Sequence, residues 1–72
     1  MENIRQQFGL NLRGLRNRAG LSQEQLGERC ELDRTEISLL ERGLRFPRLD
    51  TVVKLARALE LESPGELLDE IH

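Results

Sequence analysis

Residues 22–43 read SQEQLGERCELDRTEISLLERG, two helical patterns separated by a very short connection. In the first pattern, Ser22 can cap a helix while Gln25 reaches back to the start of the same helix. The second starts at Asp33, another capping residue, and ends at Gly43, since glycine readily takes the left-handed conformation that terminates helices. So short a connection makes two helices cross steeply, at about 90–120°.

Five residues of this stretch are expected to be buried between the two helices: Leu26, Cys30, Leu32, Ile37 and Leu40. Arg34, Thr35 and Glu36 stand instead in the first turn of the second helix, where a packed helix has little need of them. Residues at this place in a helix-turn-helix contact base edges in the major groove of DNA. The stretch therefore predicts a helix-turn-helix whose polar tip faces DNA.

A further helix is predicted before this pair, ending near Arg18. Ile4, Phe8, Leu12 and Leu15 recur there at the spacing of one helical face.

Two more helices are predicted after the pair, beyond Pro47, which blocks helix continuation. One spans about 50–60, and the other begins with the cap at Ser63 and a proline in its first turn. No segment shows strand alternation, so the expected fold class is all-α, a compact domain of five helices. The expected boundaries are 1–72 for the single domain, 22–42 for the helix-turn-helix and about 63–71 for the last helix.

Cys30 is the only cysteine and His72 the only histidine, so we expect no disulfide and no metal cluster. Cys30 is expected to be a core residue. Neither a nucleophile–base pair nor a phosphate cradle is recognisable, so we expect no enzyme, no cofactor and no small-molecule ligand. No apolar run approaches the roughly 18 residues of a membrane span, and no signal peptide is evident, so a cytoplasmic protein is expected.

Charges are unevenly distributed, although the formal net charge is only −2. Residues 1–18 and 34–48 contain four arginines each, whereas residues 58–72 contain five acids and no lysine or arginine. Ten of the eleven basic residues are arginine, which suits bidentate contacts to phosphate and guanine. A codon bias explains the ratio of arginine to lysine equally well, but it does not explain their placement.

From Phe8 to Leu68 the sequence resembles the lambda-repressor-like helix-turn-helix domain of the Xre/Cro regulators. The segments GLSQEQL, ISLLERG and VVKLARAL, with Pro47 between the last two, stand at that family's spacing. The resemblance implies a transcriptional regulator that binds a (pseudo)palindromic operator in double-stranded DNA as a homodimer, with recognition helix 33–42 in the major groove. The small size and the segment LDRT are similar to the controller proteins of restriction–modification systems. Prophage repressors and antitoxins are the alternatives, and the sequence does not distinguish an activator from a repressor.

Two residues depart from the pattern of the family. Gly27 stands where alanine is usual, which still lets the helices approach but lowers helix propensity by about 1 kcal/mol. Glu31 stands at a turn position that is usually glycine, where a left-handed conformation costs another residue about 1 kcal/mol. Both departures predict a helix-turn-helix of modest stability.

Five residues of the recognition helix are candidates for base contacts: Arg34, Thr35, Glu36, Ser38 and Leu39. Arg34 is expected to reach guanine, since a cation at a helix start is unfavourable without another role. Thr35 could meet a thymine methyl group or a phosphate, and for Glu36 we favour completion of the helix cap over acceptance from cytosine N4. Ser38 is expected to touch backbone or base edge. Leu39 packs either on a thymine methyl group or on neighbouring side chains.

A phosphate contact is expected from Gln23, at the start of the second helix. For Arg42, Arg45 and Arg48, in the region after the recognition helix, the resemblance implies contact with the phosphate backbone or the minor groove. Solubility of an exposed loop is the alternative explanation for the three arginines.

The resemblance also implies a structural ion pair between Arg16 and Glu41. Such a pair, partly buried, would lock the first helix onto the third.

The end of the fourth helix and the last helix are expected to form the homodimer interface through Leu61, Leu67, Leu68 and Ile71. These side chains exceed what one short helix needs for docking on its own domain, and the acidic tail keeps the interface clear of phosphate. The alternative is a monomer whose last helix only covers its own core. A different class of function, a protein-interaction module such as an antitoxin-like adaptor, would leave the basic tip idle and use the acidic tail.

Overall fold

The computed structural model describes residues 3–71, and within this part of the chain all regular elements are helices. Four are α-helices: α1 (Ile4–Arg18), α2 (Gln23–Cys30), α3 (Arg34–Glu41) and α4 (Leu49–Ala58). A 3-10 helix, Pro64–Leu68, follows and is called the C-terminal turn below. His72 lies outside the described residues.

The expectation of a fifth α-helix is wrong, because its residues form the C-terminal turn. Ser63 caps this turn by accepting a hydrogen bond from the backbone N–H of Gly65, and Pro64 occupies its first position. The turn is five residues long, and Asp69 then leaves helical geometry with φ −57° and ψ 137°. A run this short forms too few α-helical hydrogen bonds to offset the cost of nucleation, so the tighter geometry is favoured.

The caps of the helix-turn-helix are those that the sequence predicts. The Ser22 hydroxyl accepts from the backbone N–H of Gln25 at 3.0 Å, and the Gln25 side chain accepts from the backbone N–H of Ser22 at 2.8 Å. Asp33 caps α3 by accepting from the backbone N–H of Thr35. These bonds satisfy N–H groups that the first turn of each helix would otherwise leave without a partner.

Two residues shape the turn between α2 and α3. Glu31 is left-handed, with φ 58°, as its place in the sequence predicts. The backbone N–H of Leu32 then donates to the carbonyl of Gly27 over 2.9 Å, and a Cβ at Gly27 would lie 2.5 Å from the Leu32 carbonyl oxygen. Glycine at position 27 therefore makes room for this turn, beside its cost in helix propensity.

The hydrophobic core lies where α1 packs on α3 and the C-terminal turn, and where α2 packs on α3 and α4. Its buried members are Phe8, Leu12, Leu15, Leu26, Cys30, Ile37, Leu40, Val52, Leu55, Ala56, Leu59 and Leu67. Leu32, also predicted to be buried, packs against this core but is partly exposed. Burial raises the pKa of the Cys30 thiol, as expected for a core cysteine.

Two contacts of α1, which the sequence did not predict, fix the positions of α3 and of the C-terminal turn. A Cβ at Gly9 would lie 2.6 Å from the carbonyl oxygen of Leu40, so α1 and α3 approach backbone to backbone. The side-chain amide of Asn11 donates to the carbonyls of Leu67 and Asp69 at 3.0 and 2.8 Å. These two bonds hold the C-terminal turn against α1.

No helix within residues 3–71 has the length and apolarity that crossing a bilayer requires. In the same residues, no three histidine, cysteine or acidic side chains are grouped so that they could hold a metal ion.

Candidate nucleic-acid interface

The first turn of α3 presents an exposed polar surface. Arg34 and Thr35 are exposed, Ser38 is partly buried one turn further on, and the three side chains line one shallow cleft. Within the described residues, the Arg34 guanidinium forms no ion pair. Its five N–H donors are therefore available to an acceptor outside the protein. Leu39, on the same helix, is partly buried and offers only part of its side chain to a ligand.

Glu36, in the same turn, pairs with a residue of the loop after α3. Its Oε1 accepts a hydrogen bond from Nη1 of Arg45 at 2.7 Å, and the two side chains are 26% and 52% exposed. Within the described residues the backbone N–H of Asp33 forms no hydrogen bond with Glu36, so the favoured interpretation, that Glu36 completes the cap of α3, is wrong. The pairing arises because the tip of α3 and the following loop line the same surface cleft, of about 390 Å³.

The other two arginines predicted to contact phosphate are both exposed. Arg42 is exposed at the C-terminal cap of α3. Arg48 precedes α4, has a side chain 83% exposed, and lies 3.4 Å from the carboxylate of Asp50. Because exposed pairs of this kind contribute little free energy, Arg48 can exchange this partner for a phosphate at small cost.

A buried polar network surrounds Glu41, at the end of α3, whose side chain is 3% exposed. Arg16 donates to both carboxylate oxygens, from Nε at 2.5 Å and from Nη2 at 3.1 Å. Its Nη1 reaches the carbonyl of Leu21 at 2.8 Å, and Gln23 donates from Nε2 to Glu41 Oε1 at 3.1 Å. The hydrogen bond with Glu41 raises the pKa of Arg16, against the lowering effect of burial.

This network joins α1, the start of α2 and the end of α3. The structure thus brings Arg16 and Glu41 together, and it adds Gln23, which the sequence predicted only as a phosphate contact. The Gln23 amide has a second N–H donor beyond the one that it gives to Glu41. Helical spacing carries no signal for this third member, because the contact between Gln23 and Glu41 spans 18 residues.

The four residues predicted for the homodimer interface are not equivalent in the structure. Leu67 is 0% exposed. It belongs to the core of its own domain, so its assignment to an interface is wrong. Leu61 and Ile71 are partly buried and pack against that core. Leu68, 46% exposed, is the member with most surface to offer a second copy.

Larger apolar exposures occur at positions that no periodic pattern singled out. Leu44, Phe46 and Leu49 are 55%, 64% and 82% exposed, in and just after the loop that follows α3. The guanidinium carbon of Arg5 lies 4.9 Å from the centroid of the Phe46 ring. A cation over an aromatic face is attracted by the ring electrons, so this contact ties the loop to α1.

Comparisons with known proteins agree with this architecture. A family described as a helix-turn-helix domain matches residues 7–71. Control protein C.BamHI of Bacillus amyloliquefaciens is 44% identical over 68 residues, which cover 93% of this chain and 83% of that protein. Control protein C.SmaI of Serratia marcescens is 43% identical over 61 residues, covering 85% and 73%.

Among solved structures, the restriction-modification controller protein C.AhdI from Aeromonas hydrophila is similar, with a TM-score of 0.83 and 45% identity over 86% of this chain and 92% of that one. The chain therefore belongs to the helix-turn-helix domain family, a class of DNA-binding transcriptional regulators rather than of enzymes. The resemblance seen in the sequence, including its similarity to controller proteins, is confirmed.

Proposed function

We propose that the protein is a sequence-specific regulator of the controller type, which binds a (pseudo)palindromic DNA operator as a homodimer with α3 in the major groove. The observation that carries this proposal is the exposed guanidinium of Arg34, which forms no ion pair within residues 3–71, with Thr35 and Ser38 beside it. In a helix-turn-helix, the first turn of the second helix is the part that meets base edges. A free guanidinium in that turn supplies the two parallel donors that guanine N7 and O6 accept.

The neighbouring side chains complete the reading surface. Thr35 offers a methyl group and a hydroxyl, and Ser38 a hydroxyl, one turn further along α3. The exposed part of Leu39 meets a thymine methyl group in this arrangement. Each of these groups distinguishes base pairs by the pattern of donors, acceptors and methyl groups in the major groove.

Phosphates on either side of the groove position α3 without reading sequence. Gln23 and the start of α2 hold one phosphate, and Arg42 and Arg48 contact the backbone near the other end of α3. Two copies related by a two-fold axis double this surface and read half-sites about 34–36 Å apart.

Selection of bound duplexes from a random pool, followed by footprinting, tests the proposal. We expect enrichment of a two-fold related sequence and protection of two half-sites. The logarithm of the affinity should fall linearly with the logarithm of salt concentration, with a slope of about −0.9 per neutralised phosphate. Folded protein that binds no duplex, and so enriches no sequence and has no affinity for salt to weaken, would contradict the proposal. That outcome is expected of a protein-interaction module in which the basic tip is idle.

A further inference from the structure

The ion pair between Glu36 and Arg45 places opposite charges within the proposed DNA-reading surface. Glu36 stands next to Arg34 and Thr35 in the first turn of α3, and Arg45 follows nine residues later. A carboxylate near DNA is repelled by phosphate. An arginine whose guanidinium is held by that carboxylate presents little net charge to a phosphate.

Stability of the fold does not explain this pair. Its two side chains are 26% and 52% exposed, and ion pairs open to solvent in this way contribute little free energy. Both groups also keep unused capacity for hydrogen bonds. The second carboxylate oxygen of Glu36 can accept from a ligand, and Arg45 retains N–H donors beyond the one that it gives to Glu36.

We propose that the Glu36–Arg45 pair determines sequence selectivity rather than overall affinity, an inference that rests on the proposed DNA-binding function. On DNA of arbitrary sequence the pair stays closed, so Arg45 forms no phosphate contact and the Glu36 charge opposes binding. Where the operator presents an amino donor such as cytosine N4, Glu36 accepts from it and Arg45 turns to a nearby phosphate. Wrong sequences are thus bound more weakly, because they offer Glu36 no donor and the negative charge of the closed pair stays close to the phosphates.

Glu36→Gln tests the inference, because it keeps the shape of the side chain and removes its charge. We expect this variant to bind a random-sequence duplex about three to ten times more tightly in low salt, with a salt slope steeper by about 0.9, the value of one added phosphate contact. Its affinity for the duplex selected by the wild type should not rise. The ratio between selected and random DNA should therefore fall.

Two further variants distinguish the effect of breaking the Glu36–Arg45 pair from the general effect of removing a negative charge. In the Glu36→Gln/Arg45→Gln double variant, the gain on random DNA should disappear, because the freed arginine is absent. Glu24→Gln makes the same change of charge in the first turn of α2. Its effect on the affinity for random DNA should be smaller than that of Glu36→Gln. It should also be the same in the wild-type and Arg45→Gln backgrounds. Thermal melting checks that every variant folds.

The inference is overturned if Glu36→Gln leaves random-sequence binding unchanged, or if its gain persists in the Arg45→Gln background. A wild-type protein that binds no duplex at all contradicts the proposed function itself, and is distinguished from both outcomes before any variant is made.

Discussion

At the scale of single residues, two arginines show how the environment assigns different roles to one side-chain type. Three nitrogens of the Arg16 guanidinium are engaged inside the domain by Glu41 and the Leu21 carbonyl. Arg34 is exposed and forms no ion pair among the described residues. The same rigid fork of donors therefore holds helices together in one place and is open to a ligand in the other.

Replacing Arg34 with alanine should weaken binding to the selected operator by about 1–3 kcal/mol and relax the preference at one position in each half-site. Binding to random-sequence DNA should change little, since a guanine contact is not made there. Competition binding with single-base operator variants measures both effects. Arg13→Ala is the matched control, because it removes the same charge from an exposed position on α1. An equal loss on operator and random DNA would assign Arg34 to a phosphate instead.

Replacing Glu41 with alanine should lower the free energy of unfolding by about 3–5 kcal/mol, because it leaves the Arg16 charge buried without its partner. Urea denaturation measures this change. The exposed Glu28 on α2 gives a control, and Glu28→Ala should stay within about 0.5 kcal/mol of the wild type. The double variant Arg16→Met/Glu41→Leu should recover much of the loss, since no uncompensated charge remains. A Glu41→Ala protein with an unchanged transition would contradict this assignment.

At the scale of elements, the crossing of α1 and α3 depends on a glycine. The position of a Cβ on Gly9 would fall within van der Waals distance of backbone carbonyls at the end of α3. Backbone atoms cannot rotate away as a side chain can, so any larger residue would push the two helices apart. This crossing also carries Glu41 to Arg16, and through it the polar network that reaches α2.

Gly9→Ala should therefore destabilise the domain by about 1–3 kcal/mol or more through overpacking. Gly14 lies on the same helix and has open space where a Cβ would stand. Gly14→Ala should stabilise the domain by about 0.5–1 kcal/mol, because alanine is the better helix former. Thermal melting of the two variants under the same conditions shows whether the midpoint falls for Gly9→Ala and rises for Gly14→Ala. Equal changes in the same direction would show that α1 and α3 are not in close contact at Gly9.

At the scale of the whole molecule, the C-terminal turn serves first to complete the core. Leu67 is buried, and Asn11 of α1 donates to the carbonyl of Leu67 in the turn and to that of Asp69 just after it. A stable dimer covers about 800 Å² on each partner, far more than Leu68 alone can supply. The proposed dimer therefore has to include further residues around Leu68, among them the exposed parts of Leu61 and Ile71.

Leu68→Asp should shift the protein from dimer to monomer without unfolding it, because this side chain is largely exposed within one protomer. Sedimentation over a concentration series, with circular dichroism as the check on folding, measures the change. Leu10→Asp places the same charge at an exposed leucine of α1, and it should leave the association unchanged. Ile71→Asp is a poorer choice, because Ile71 packs against the core. A wild type that remains monomeric at tens of micromolar would end the dimer proposal.

Much of the architecture followed from the sequence alone, because it is encoded locally. The Ser22–Gln25 cap and the apolar face of α1 each depend on residues within one or two helical turns. Such patterns can be read without knowing where the rest of the chain lies. The family resemblance added the partnership of Arg16 and Glu41, which no local pattern contains, and the left-handed conformation of Glu31, where the family usually has glycine.

Only the tertiary structure determined which side chains are engaged by other residues or buried, and which remain accessible to a ligand. It pairs Glu36 with Arg45 and directs Gln23 to Glu41, and it buries Leu67 in the core. Each of these outcomes joins residues that are distant along the chain or depends on the packing of a turn too short for an α-helix. A periodic pattern states which side of its own helix a residue occupies, whereas a partner and a degree of burial are properties of the packed whole.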